Sequence, residues 1–220
     1  MRVTKIETQK RHPDRKSIFA DGKFLTGVSA ETLLRSGIRT GDSIDPTTLS
    51  SIQKSEGLLS AKNVALRFLS YRPRTVKEVR DKLREKEYSD EEINEVIADL
   101  KRSRLLNDEE FARMYVRNAT QLKPVGQVLL KRKMLLLGIA PRIIDEALAE
   151  TLQEIDQNKI ALDIAEKFLA RGRHTARRRD LLKDRNRLGS YLARRGFTWN
   201  VIEPILSKLL PLHNRQAEQD

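Results

Sequence analysis

The sequence contains no cysteine. That excludes disulfides, thiolate metal sites and a cysteine nucleophile, and it suits a reducing compartment. Aromatic residues make up only 5% of the chain, which argues against base stacking over an extended aromatic platform. No apolar run approaches the roughly 20 residues of a membrane span. The longest, at 134–137, has the length of a helix core face. The N-terminus lacks the apolar stretch of a signal peptide, so the chain reads as cytoplasmic. His12, His174 and His213 are far apart, with no metal-ligand pattern around them. No glycine-rich loop ends in Gly-Lys-Ser or Gly-Lys-Thr. The many carboxylates have basic neighbours, which lower their pKa values rather than raise them. These absences predict a chain that is not an enzyme and takes no metal and no cofactor.

Charge is present in excess. Lysine and arginine number 43 against 31 aspartates and glutamates, a net charge of +12. Such a balance predicts a polyanionic partner. The excess is concentrated, with 10 basic and 2 acidic side chains between residues 171 and 195.

A helical unit recurs three times. Val64, Ala65, Phe68 and Leu69 return as Phe111, Ala112, Tyr115 and Val116, then as Ile164, Ala165, Phe168 and Leu169. A second block follows each first block. Val79, Leu83, Tyr88, Ile93, Val96 and Ile97 correspond to Leu130, Met134, Ile139, Ile144, Ala147 and Leu148. They correspond again to Leu188, Leu192, Phe197, Ile202, Ile205 and Leu206. Each repeat therefore reads as three helices. Repeat arrays spread function over a surface and not into one pocket. The link between the first and second helices lengthens from repeat to repeat, and the longest link is the most basic. Gly138 and Gly196 share a helix-ending position that favours a left-handed backbone. Glu87 fills it in the first repeat, so that turn is expected to close differently.

The first 60 residues follow another pattern. Strands are predicted at 3–8, 17–20 and 23–28, with a turn at 11–14 and a tight Asp21-Gly22 turn. Ser29 reads as the N-cap of a short helix ending at Gly37. Residues 49–59 read as a helix or linker. The predicted fold is mainly α: a tandem array of three three-helix, helix-turn-helix-like repeats, preceded by a small antiparallel β-hairpin or sheet plus a short helix. The expected division is 1–58 for the α+β extension, then 59–108, 109–155 and 156–212 for the repeats. A disordered tail at 213–220 completes it.

Three segments carry a family resemblance: ALRFLSYRPRT at 65–75, EVRDKL at 78–83 and LLNDEEFA at 105–112. Together with the triple repeat over roughly 60–210 they resemble the bacterial RecX family, and TKIETQK at 4–10 resembles the extension of its longer members. Members of that family regulate the recombinase RecA. The resemblance implies a curved all-α array lying in the groove of the RecA–DNA filament. It implies inhibition of RecA recombinase, ATPase and co-protease activity in homologous recombination, DNA repair and the SOS response. The spacing of residues alone names no partner.

The candidate contacts with DNA phosphates or acidic RecA surface are cations. Arg171, Arg173, Arg177, Arg178, Arg179, Lys183, Arg185 and Arg187 form the densest group, read as a loop. Lys131, Arg132 and Lys133 lie between core positions of the second repeat, and Arg194 and Arg195 end the equivalent helix of the third. Arg72, Arg74 and Lys123 in the first two links would extend a basic track. For each group the alternative is a solvated charged face. Charges of both signs interleave over 77–87 and read as a salt-bridged surface. Tyr71, Tyr191 and Trp199 stand beside basic residues, but core packing or a rim position is preferred over base stacking for the two tyrosines, and packing for Trp199.

Two partner readings compete. The leading one is a monomer that binds the RecA filament and single- or double-stranded DNA through the phosphate backbone, with no membrane contact. The alternative is a sequence-independent DNA- or RNA-binding protein with no RecA-specific role. Neutral to acidic third helices argue against insertion of a recognition helix into a groove.

Overall fold

The computed structural model describes residues 1–122, 124–152, 156–172 and 181–212. The expected tail at 213–220, together with Lys123, Arg173, Arg177, Arg178 and Arg179, lies outside these residues. The chain clusters into two compact units. The first comprises 1–74 and 78–106, and the second 75–77 with everything from 107 onward.

The first unit opens with an antiparallel sheet, β1 (Val3–Gln9), β2 (His12–Ala20) and β3 (Lys23–Ser29), in the order β1-β2-β3. The turn expected at 11–14 is tighter than predicted, because β2 begins at His12. Pro13 is accommodated by a register shift, with Thr8 opposite Lys16 but Gln9 opposite His12. Proline cannot donate to a ladder, and an irregular edge is where a strand tolerates it. Helix α1 (Ala30–Ser36) is capped by Ser29 and ends at Gly37 with φ 67°, as its sequence predicts. Val3, Ile18, Val28 and Ile44 form a small core, closed by Ile52 from the next helix.

That helix, α2 (Pro46–Tyr71), is continuous over 26 residues. Asp45 caps it and Pro46 occupies its first turn, where the missing N–H costs nothing. It runs through the expected boundary at 58–59, joining the sheet to the first repeat without a linker. Two further helices complete that repeat, α3 (Val76–Glu85) and α4 (Asp90–Arg102). Ser89 and Glu92 close a full capping box at the start of α4. Val79, Leu83, Ile93, Val96, Ile97 and Leu100 are buried.

The second unit holds α5 (Asp108–Leu122), α6 (Gln127–Leu136) and α7 (Pro141–Leu152), then α8 (Gln157–Gly172), α9 (Leu181–Arg194) and α10 (Trp199–Leu209). Two cores follow the predicted positions. Phe111, Ala112, Val116, Leu130, Met134, Ile139, Ile144, Ala147 and Leu148 make one. Ala161, Ala165, Leu188, Leu192, Phe197, Ile202, Ile205 and Leu206 make the other, with Leu210. Phe168 and Tyr191 stack at 4.4 Å beside the second, so Tyr191 is a packing residue. Thr198 stands at the N-cap of α10, but its side chain makes no cap bond.

Glu87 adopts φ 62°, and Gly138 and Gly196 adopt 81° and 88°. All three turns thus close with the same left-handed residue, against the expectation for Glu87. The glycines answer a second demand, close approach. A Cβ on Gly196 would run into Leu129, and one on Gly138 into the Lys77 side chain.

Candidate nucleic-acid interface

The cations singled out by sequence divide into engaged and outward-facing groups. Among the engaged ones, Arg185 on α9 is 13% exposed. It donates to the Leu210 carbonyl at 3.1 Å and pairs with Glu203 on α10. Arg195 donates to the Pro124 carbonyl at 3.3 Å and lies over the Tyr191 ring. Lys131 pairs with Asp145 at 2.6 Å. Arg72 and Arg74 converge on one carboxylate, Glu78, at 2.6 and 3.3 Å. The Arg74 guanidinium also covers the Phe68 ring at 3.9 Å.

The outward group is as large. Arg132 and Lys133 on α6, Arg171 on α8, and Arg187 and Arg194 on α9 are exposed, and none has an ion-pair partner among the described residues. Arg187 and Arg194 are seven residues apart, two helical turns, so they share a face. Lys183 lies four residues before Arg187, also exposed. The basic stretch read as a loop is therefore helical from Leu181 onward, because Leu188 and Leu192 need an amphipathic helix to reach the core.

The carboxylates are largely committed. Asp99 on α4 receives Lys62 from α2 at 2.6 Å and Arg102 at 3.1 Å. The Lys62 bond, then the Arg102 bond, hold its carboxyl below the ordinary range. Glu150 occupies the equivalent place on α7 and receives Arg113 from α5 at 2.7 Å, which lowers its pKa in turn. The acidic third helices thus use two of their charges to tie themselves to the first helix of the same repeat.

Sequence reasoning passed over one arrangement in the first unit. Tyr71, expected in the core or at its rim, is 79% exposed. It lines a cleft of about 400 Å³ together with Asn63, Arg67, Phe68, Lys82 and Lys86. Its signal in the sequence is the spacing of Asn63, Arg67 and Tyr71 at four-residue steps, one face of a helix. A second groove, of about 700 Å³, lies on α6 and α7 between Val128, Lys131, Leu135 and Leu148.

Among the described residues no three histidines or carboxylates cluster as a metal site, and no helix is long and apolar enough to cross a membrane.

The architecture has known counterparts. The chain matches three family models, described as the RecX N-terminal domain over residues 1–45, the first RecX three-helix domain over 61–100, and the second over 107–148. It is 32% identical over 211 residues to the regulatory protein RecX of Clostridium beijerinckii, covering 95% of this chain and 96% of that one. It is 34% identical over 218 residues to the Bacillus subtilis regulatory protein RecX, covering 99% and 81%. A crystal structure of a regulatory protein RecX superposes with a TM-score of 0.73 at 26% identity, covering 93% of this chain and 98% of that one. RecX from Lactobacillus salivarius gives 0.62 at 30% identity, covering 70% and 97%. The relatives are named as regulators and not as enzymes. By sequence along nearly its whole length, and by fold, this chain belongs to the RecX family of regulatory proteins.

Proposed function

We propose that this protein regulates the recombinase RecA, mainly by inhibition, by binding the RecA–DNA filament. The second unit supplies the electrostatic part of the contact. The observation that carries this reading is that five of the candidate cations, Arg132, Lys133, Arg171, Arg187 and Arg194, are exposed with no ion-pair partner among the described residues. Phosphate contacts of this kind are independent of sequence and release counterions, so affinity falls steeply with salt. A helical array seated along the filament would block the incoming duplex and hinder protomer addition. The third helices support a backbone contact over base readout. Helix α4 opens with Asp90, Glu91 and Glu92, a start that repels a DNA groove.

The test is RecA's single-stranded-DNA-dependent ATP hydrolysis, titrated with this protein while DNA is in excess. Inhibition well below one molecule per RecA is the expected result. If nothing happens until the DNA itself is saturated, the RecA-specific role falls and plain nucleic-acid binding replaces it.

A further inference from the structure

We propose that the cleft beside Tyr71 in the first unit is a binding site for single-stranded nucleic acid, seating an unstacked base and its flanking phosphates. The proposal rests on the DNA-contact part of the reading above. It moves a specific contact to a place where no basic cluster in the sequence points.

The site is built by two helices. On α2, Asn63, Arg67 and Tyr71 follow one another at four-residue steps and face the same way. The opposite wall is formed by Lys82 on α3 and by Lys86 in the turn just after it. Four cations border the cleft, and two are already matched. Arg15 pairs with Glu56 at 3.0 Å, and Lys82 with Glu85 at 2.9 Å. Arg67 and Lys86 are exposed with no ion-pair partner among the described residues. The cleft thus keeps a surplus of two positive charges on facing walls.

The aromatic component is what separates this site from an ordinary basic patch. A tyrosine exposed by 79% with no ring partner among the described residues leaves a large apolar face in water. One turn earlier, the Phe68 ring is held between the cleft and the Arg74 guanidinium at 3.9 Å. Arg74 is in turn fixed by Glu78 at 3.3 Å. The Phe68 ring is therefore already covered on one side, while the Tyr71 ring is left to take a partner. Stacked aromatics with adjacent cations are the chemistry that single strands use, because every base offers a π-face once it leaves a duplex. The Asn63 side chain adds an amide able to meet a base edge. A volume of about 400 Å³ falls within the range of roughly 300–1,000 Å³ that small-ligand sites occupy.

The experiment uses the full-length protein and a fluorescein-labelled oligothymidine, read by anisotropy over a salt series, beside a duplex of equal length. Tyr71→Ala should weaken single-strand affinity roughly 5- to 150-fold, the equivalent of one lost base stack, and leave duplex affinity unchanged. Tyr71→Phe should keep the affinity of the unmodified protein, which separates ring stacking from any loss of fold. The Arg67→Ala/Lys86→Ala pair should lower the slope of log affinity against log salt by about 1.4, two single-strand phosphates. With 5-iodouracil in the strand, irradiation should crosslink the peptide containing Tyr71. Wild-type binding that none of these variants changes, with Arg187→Ala/Arg194→Ala weakening it, would overturn the cleft and leave the DNA reading standing. Absence of single-strand and duplex binding altogether would remove both. Loss of DNA-free RecA binding in the Arg67→Ala/Lys86→Ala protein, with oligonucleotide affinity intact, would overturn the proposal by assigning the cleft to an acidic protein surface.

Discussion

The Gly126 amide donates to the Arg195 carbonyl at 2.9 Å. The first residue ahead of α6, in the second repeat, thereby holds the turn between α9 and α10 in the third. Val128 repeats the bond, donating to the Gly196 carbonyl at 3.0 Å. Within the same unit Thr75 Oγ1 donates to the Leu137 carbonyl at 2.8 Å, and Thr75 and Leu137 occupy the positions that Gly126 and Arg195 hold one repeat later. The second and third repeats are thus locked by backbone bonds at the N-terminus of α6, whereas Thr75 makes the bond at its equivalent position through its side-chain hydroxyl.

This lock predicts unequal costs at Gly126, Gly196 and Glu87. In Gly126→Ala the new Cβ would collide with the Gly196 backbone, which has no rotamer to retreat into. The expected loss of stability is at or above the upper end of the roughly 1–3 kcal/mol seen for overpacking. Gly196→Ala should cost more, because its φ of 88° adds a left-handed penalty of about 1–2 kcal/mol. Glu87→Gly should be neutral or stabilising by up to about 1 kcal/mol, since relief of the left-handed strain outweighs the added chain entropy. Urea unfolding of the three variants checks the order. Equal losses at Gly126 and Glu87 would refute the lock.

The apolar repeat was legible because burial imposes a period. Ala65, Val79 and Leu83 return in register as Ala112, Leu130 and Met134, and all six are buried. Cation pairing leaves no such mark. Arg185 and Arg187 are neighbours of identical chemistry, yet a rotation of about 200° along a helix points one at Glu203 and the other at solvent. Nor does composition reveal which tyrosine is covered. Tyr191 finds Phe168 on a neighbouring helix, whereas Tyr71 ends its helix with its ring exposed.

Arg185 and Arg187 should accordingly respond in opposite ways. Arg185→Ala removes the bonds to Leu210 and Glu203, and hydrogen bonds of charged groups contribute about 1.5–3 kcal/mol. A lower unfolding midpoint is expected, with the salt dependence of DNA binding unchanged. Arg187→Ala should leave stability within about 0.5 kcal/mol and lower the duplex salt slope by about 0.9. If Arg185→Ala alters the slope and Arg187→Ala does not, the assignment of the two arginines is reversed.

Acid should destabilise the first unit in a defined window. The Thr47 hydroxyl, then the Thr48 amide, hold the Asp45 carboxyl down from 3.8 to about 2. Glu85 and Asp99 are lowered as well, by Lys82 and by Lys62. A group with a depressed folded pKa contributes stability above its unfolded pKa and loses it as pH falls toward the folded value. The contribution of Asp45 is therefore complete above about pH 4 to 5 and fades toward pH 2. Asp45→Ala should melt below the unmodified protein at pH 6, and the gap should narrow steadily toward pH 2. A gap of constant size across that range would show that the carboxylate charge is not what caps α2.

The one glycine within α2 ties helix propensity to a cap on another helix. Gly57 lies inside α2, where alanine normally gains about 1 kcal/mol over glycine. Here a Cβ would collide with the Glu92 carboxylate. That carboxylate closes the capping box of α4, accepting from the Ser89 amide at 2.9 Å and the Ser89 hydroxyl at 3.0 Å. Gly57→Ala can be accommodated only if Glu92 swings away, which opens half of the box. The helix gain and the cap loss, each of order 1 kcal/mol, should then nearly cancel. In a Glu92→Ala background the obstacle is gone, and Gly57→Ala should recover its full gain of about 1 kcal/mol. A double-mutant cycle in urea measures the difference. A coupling energy near zero would mean that α2 and the α4 cap do not compete for this space. A coupling close to 1 kcal/mol would explain why a glycine persists in the middle of the longest helix, where propensity alone disfavours it.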